Sequence, residues 1–260
     1  MKKVWQLLIG LGMLSVLPGC EQGLNDEAEL LIDIDAEFSI SMIEELRSSG
    51  NRLTFSLQTL EEQECEGTGI AYELAKSENE IFLDIQGLQA PNPCIKNPEV
   101  AFATSDLGLL AEGNYPLRLS LQSTIINQGV LKVESDRYRI QMETENGIQI
   151  SEPELLKIPA QTIWGYVAYD LEEQESISNA FLEDLTPLVS VSGFADGNYG
   201  HFKLENGSLR LNQEIAYPFF RLFIHELKAP LEELGQLLDQ FRKNESSIDV
   251  QLFTWDGREL

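Results

Sequence analysis

Few side chains in this sequence are of the kinds that do covalent chemistry. Its 260 residues include 2 histidines, His201 and His225, and 3 cysteines, Cys20, Cys65 and Cys94. A serine or cysteine nucleophile needs a base beside it. No G-x-S-x-G elbow, P-loop or dinucleotide G-x-G-x-x-G motif is present to supply such a setting. The stretch from Gly193 to Gly200 is glycine-rich but lacks a phosphate-binding lysine, so it reads as a hairpin turn. The acids around the two histidines have no metalloenzyme spacing. Asp33, Asp35 and Glu37 share one strand face and carry the oxygen ligands calcium takes, although a solvated outer face explains them as well. With 43 acidic residues, paired carboxylates of a polysaccharide hydrolase remain an alternative, but any single pair carries little weight. No catalytic residue, cofactor or metal site is expected.

The chemistry that remains is recognition. In the C-terminal part, period-two reading directs Val167, Phe202, Leu204, Phe220, Leu222, Ile224, Val250 and Leu252 towards a helix-covered core. The alternate positions then share the other sheet face: Trp164, Tyr166, His201, Phe219, Arg221, Phe223, His225, Phe253 and Trp255. A sheet face turned to water is normally polar, so six aromatics there call for a cover or a partner. The face packs on the rest of the chain or a second copy, docks an envelope protein or peptide, or stacks sugar rings. Trp164, Tyr166, Phe219, Arg221, Phe223, His225, Phe253 and Trp255 are the candidate partner-binding set. A one-residue slip in register would exchange core and face.

Two regions of different texture must position these residues. From 28 to 150 the apolar residues alternate, as in Leu53, Phe55, Leu57 and again in Ile81, Leu83, Ile85. About seven such runs, separated by Gly, Asn, Pro and Ser, predict a β-sandwich. A helix-like stretch near Ser41 to Arg47 is assigned to a loop. Residues 151–162 hold two prolines and read as a linker. From 163 to 260 a strand precedes Ile177, Phe181, Leu185 and Leu188 at helical spacing. Strands at His201–Leu204 and Phe219–His225 follow. A second helix carries Leu231, Leu234, Leu238 and Phe241 behind Pro230, and Ile248–Trp255 is the last strand. The fold class expected is therefore all-β plus α+β. The β-α-β-β-α-β order is similar to a ferredoxin-like fold.

Leu110-Ala-Glu-Gly-Asn-Tyr115 resembles the turn entering a late strand of immunoglobulin-like domains, where a tyrosine follows a glycine turn. That resemblance implies architecture and no functional residue. At the N-terminus, Lys2 and Lys3 precede an apolar run from Val4 to Val16, too short to span a bilayer. The run ends in Leu17-Pro18-Gly19-Cys20, which resembles the lipobox of bacterial lipoproteins. The resemblance implies a signal peptide over 1–19, lipid on Cys20, and a tether over 20–27. It implies a membrane partner through that lipid, in the bacterial envelope. Glu21 stands where an aspartate signals inner-membrane retention, which favours the outer membrane or cell surface. In such an exported chain the even remainder, Cys65 and Cys94, suggests a disulfide, with a thiol metal site as the alternative.

The net charge is −25, and loss of Lys2 and Lys3 takes it to −27. Such a surface excludes nucleic acid as a main ligand and is repelled by anionic lipid. The function expected is a non-catalytic binding or adaptor role for an envelope protein or glycan partner.

Overall fold

The first region folds because its strands have one apolar phase. A computed structural model of the chain describes residues 34–77, 80–190 and 193–260. Cys20, the expected signal and tether, and Asp33 lie outside these residues. Asp35 and Glu37 are exposed.

Ten strands form one hydrogen-bonded sheet. They are β1 (Phe38–Glu45), β2 (Arg52–Cys65), β3 (Gly69–Lys76), β4 (Ile81–Gln89), β5 (Lys96–Gly108), β6 (Gly113–Leu121), β7 (Ile125–Val133), β8 (Arg137–Met142), β9 (Ile148–Ile150) and β10 (Glu154–Leu156). Their order is β10-β8-β7-β6-β4-β3-β5-β2-β1-β9. The two edge strands, β9 and β10, are consecutive in the chain and separated only by 151–153. Three residues reach about 10 Å, so the sheet must curl until its edges meet. The residues expected to alternate inward do so around one core: Leu53, Phe55, Leu57, Ile81, Leu83, Ile85, Leu117 and Leu119 are all buried. Segment 151–162 contributes β10, and Glu154 there accepts hydrogen bonds from Arg137 and Arg139 of β8. Residues from Ser41 to Glu45 are strand, not a helix-like loop. Phe38, Ile40 and Met42 face the core, and burial along that phase outweighs the weak helical spacing.

Beyond this sheet come β11 (Thr162–Tyr169), α1 (Glu175–Leu185), β12 (Val189–Ser190), β13 (Gly197–Asn198), β14 (Phe202–Glu205), β15 (Ser208–Leu211), β16 (Phe219–Leu227), α2 (Leu231–Asn244) and β17 (Ile248–Thr254). A four-stranded antiparallel sheet has the order β12-β16-β11-β17. Its partner strand after α1 is the short β12. The expected strand at 201–204 belongs to a separate three-stranded sheet, β13-β14-β15. Phe181 and Leu185 of α1 and Leu234, Leu238 and Phe241 of α2 bury against one face of the four-stranded sheet. The small sheet covers the other face with Phe202 and Leu204, so β11 is buried along its whole length.

Two turns share a device. Tyr115 donates its hydroxyl proton to the Ala111 carbonyl at 3.0 Å, and Tyr199 does the same to Ala195 at 3.0 Å. Both lie in an Ala-acid-Gly-Asn-Tyr sequence, at 111–115 and 195–199. Cys65 and Cys94 form a disulfide. Residues Ile34–Leu260 group as a single unit. Among the described residues no helix is long and apolar enough to cross a membrane.

Candidate functional site

The end of β1 carries an acid where its pattern calls for a hydrocarbon. Phe38, Ile40 and Met42 are followed in the same phase by Glu44, only 3% exposed. A buried carboxylate needs donors. Tyr138 supplies its hydroxyl at 2.9 Å and Asn51 its side-chain amide at 3.2 Å. Both donors are neutral. Burial and the Glu44 charge push the Tyr138 phenol well above its ordinary value, so it stays a donor. The Glu44 carbonyl accepts a 2.7 Å bond from Nε2 of His201, which fixes the proton on that nitrogen.

This bond ties the large sheet to the turn before β14. Next to it opens a cleft of about 560 Å³ between the large sheet and the C-terminal region. Ile43 and Glu44 of β1, Thr54 of β2, Tyr72 of β3 and Thr104 and Asp106 of β5 line one side. Trp164 of β11, His201 and Phe253 of β17 line the other, with Gly257, Arg258 and Glu259 beyond β17. Trp164 and Phe253 sit on paired positions of adjacent strands, and their rings stack at 6.0 Å and 25°. Phe202 backs Trp164 at 5.1 Å. Gly257 has φ +80°, and a side chain there would strike the Leu46 carbonyl, so glycine permits the close approach of the last loop to β1.

The rim is acidic but mostly paired. Asp106 accepts a fork from Arg52, at 2.6 Å for the closer nitrogen. That guanidinium, helped by the Gly108 N–H against partial burial, holds the Asp106 carboxyl below the usual range. Glu45 pairs with Arg47 at 2.6 Å and Arg258 with Asp256 at 2.9 Å. Glu259 has no ion pair or hydrogen bond with the described residues. Thr54 is 7% exposed, and its hydroxyl oxygen is buried without a partner. A second cleft of about 410 Å³ lies on the other side of Glu44, lined by Tyr138, Lys157 and Trp255 among others.

Of the expected aromatic face, the structure brings Trp164 and Phe253 together in the first cleft and places Trp255 beside the second. Tyr166 is buried in β11 at 6% exposure. The four residues from β16 are elsewhere. Trp164 pairs with Ile224 and Gly165 with Phe223, so Phe219, Arg221, Phe223 and His225 point to the helix side. Phe223 meets Phe181 at 6.2 Å, Phe219 stacks on Tyr169, and Arg221 pairs with Glu175. The register of β16 is therefore the reverse of that expected. Both of its faces carry bulky apolar residues, so alternation gave no phase. Phe202 and Leu204 likewise face the small-sheet core instead of the helices.

Glu44, Thr54, Thr104, Asp106 and Glu259 were not anticipated. The signal for Glu44 is present: an acid at the fourth inward position of Phe38-x-Ile40-x-Met42-x-Glu44. Among the described residues no group of three or more His, Cys, Asp or Glu is gathered to hold a metal ion. No family model, curated protein or solved structure matches the chain.

Proposed function

We propose that the protein is a lipid-anchored envelope protein with a non-catalytic binding or adaptor role, and that the Trp164–Phe253 cleft is its binding site. The observation that carries this reading is the cleft itself. It joins an aromatic floor to a polar rim, as binding pockets do. Its walls come from residues between 43 and 259, so the fold converges on it. The lipobox-like Leu17–Cys20 supports anchoring through Cys20, at the outer membrane or cell surface.

The architecture we infer is an immunoglobulin-like sandwich enlarged to ten strands, followed by a ferredoxin-like domain. The Tyr115–Ala111 bond supports the first, since such domains carry a tyrosine bonded back across the turn. The order β12-β16-β11-β17 with both helices on one face supports the second. On this reading the small three-stranded sheet is an insertion between β12 and β16.

The test is site-specific photocrosslinking in intact cells. A photoreactive residue at Thr104, in the cleft, should give a discrete adduct, and one at exposed Phe220 should not. No adduct at Thr104, or equal adducts at both, overturns the binding reading. Cys20→Ser should release the protein from the membrane fraction; retention there overturns the anchor.

A further inference from the structure

We infer that the cleft takes a lysine or arginine side chain from an extended segment of a partner protein. This rests on the cleft being the binding site and names what fills it.

The charge around the cleft is unbalanced in one direction. Glu44, Glu45, Asp106 and Glu259 line it against a single cation, Arg258. Internal pairing removes most of these from account. Glu45 is held by Arg47, Asp106 by Arg52, and Arg258 by Asp256. Two carboxylates remain without a cation. Glu259 is exposed on the rim, and its carboxylate has no ion pair or hydrogen bond among the described residues. Glu44 is buried behind the cleft wall with only neutral donors, Tyr138 and Asn51. A cation entering the cleft gains directly from Glu259 at the rim and at longer range from Glu44 behind the wall, and an anion loses correspondingly.

The floor selects further within cations. Trp164 and Phe253 present an apolar surface that a bare metal ion would not use. A long aliphatic stem with a charged head fits it, because the stem packs on the rings and the head can sit over a ring face. Thr54 adds an independent sign. It lines the cleft, is 7% exposed, and has a hydroxyl with no partner, a cost that a donor or acceptor from a ligand would offset.

The partner's form follows from the neighbouring surface. A second groove of about 440 Å³ shares Ile43 and Thr104 with the cleft and continues along the outer face of the large sheet. Ser41, Ser56, Asn198 and Asn212 line it, with Phe102 at the side. The Ser41 and Ser56 hydroxyls, with the remaining hydrogen-bonding capacity of Asn198 and Asn212, whose amides already donate to Glu152 and to the Gly200 carbonyl, suit the polar backbone of an extended chain. The basic side chain then enters the cleft and the flanking backbone lies in the groove.

Isothermal titration of the full chain in detergent micelles tests this with the peptides Gly-Ser-Lys-Ser-Gly and Gly-Ser-Arg-Ser-Gly. The glutamine and acetyl-lysine counterparts and an N-acetylglucosamine tetramer are the comparison probes. We expect saturable binding of a basic peptide, about tenfold weaker for glutamine or acetyl-lysine. Raising salt from about 50 to 300 mM should weaken it severalfold. Glu259→Gln should weaken it about threefold or more, and Thr104→Trp, which fills the cleft at an exposed position, should abolish it. Near-ultraviolet circular dichroism checks that both variants fold. Equal binding of the lysine and glutamine peptides, or no effect of Glu259→Gln and of salt, overturns the inference. Binding of the neutral sugar alone, blocked by Thr104→Trp, overturns the cationic ligand and leaves the cleft standing. Peptide binding that ignores Thr104→Trp, or no binding by any probe, removes the cleft as the site and the inference with it.

Discussion

Replacing both Cys65 and Cys94 with serine should cost the protein about 3.6 kcal/mol. The disulfide closes a loop with a sequence separation of 29. For a loop of that length the chain-entropy relation, −2.1 − 1.5R ln n cal/mol/K, gives about 3.6 kcal/mol at 25 °C. The figure applies only if the loop opens together with the rest of the fold. Two features of the structure pull in opposite directions. The loop contains the β3–β4 hairpin, whose Ile70, Ile81, Leu83 and Ile85 are buried in the shared core. That hairpin cannot leave without dissolving the core, which argues for the full value. The tip near the disulfide is thinly packed, with Leu60, Leu88, Ile95, Val100 and Phe102 exposed. A tip that frays before the core melts would already be open, and closing it would then stabilise little. We expect the core to decide, because the β2–β5 ladder, although interrupted by register shifts at Gln58/Glu62 and Gln63/Cys65, still reaches Cys65 opposite Lys96. For a unit spanning Ile34–Leu260, at about 2.1 cal/mol/K per residue, the loss corresponds to about 7.5 °C in Tm. Urea unfolding of wild type and the double serine variant measures it, with amide exchange in β4 as the local readout. A loss under about 1 kcal/mol with unchanged β4 protection would refute the reasoning.

Three further outcomes follow from the buried polar groups and from one glycine. Tyr138→Phe leaves the buried Glu44 carboxylate with Asn51 as its only side-chain donor, and should cost about 2 kcal/mol in urea unfolding. Adding Glu44→Gln should recover part of that, and a first loss under about 0.5 kcal/mol would show that the bond is not needed. His225 has its Nδ1 buried without a partner, and burial lowers its pKa in the folded state. The unfolded chain then takes up a proton near the ordinary value, about 6.5, before the folded chain does. Stability is full above that pH and falls as pH drops through it towards the lower folded value. His225→Gln should remove this slope below about pH 6.5, and an unchanged slope assigns it elsewhere. Gly165→Ala would drive a Cβ into the Gln251 backbone of β17. It should destabilise by about 1–3 kcal/mol, and a neutral result in thermal melts would mean the strands can part there.

How far the fold was legible depended on how many faces each strand buries. In β2, β4 and β6 one face is core, so Leu53-Phe55-Leu57 and its counterparts announced both strand and phase. In β16 both faces carry bulky apolar residues, with helices packed on one side and the small sheet on the other, while Phe219 and Phe220 at its start stay exposed. Phe219 and Phe223 therefore looked equivalent to Phe220, Leu222 and Ile224, and only the pairing of Gly165 with Phe223 fixes the choice. β5 was missed for a different reason. Its inward residues include Ala101 and Ser105, which are 1% and 0% exposed but too small or too polar to show as a hydrophobic period. The aromatic half of the cleft was visible as Trp164 and Phe253. The other half was not, because Thr54, Thr104 and Asp106 read as the ordinary polar face of a strand.

The two halves of the cleft depend on each other through backbone contacts that no side-chain pattern shows. His201 reaches the Glu44 carbonyl, and the Gly257 turn touches Leu46. A side chain at Gly200, where φ is +82°, would press on Ile43 and on the Glu44 backbone. All three contacts converge on Ile43–Leu46, so this short stretch sets how the aromatic floor faces the acidic rim. A ligand seated in the cleft touches both sides at once and must therefore favour the arrangement these contacts hold. By linkage it raises the stability of the whole unit and not of one sheet alone. Loosening the Ile43–Leu46 junction should in turn weaken binding without altering any residue that meets the ligand, because the floor and rim would no longer be held in one geometry.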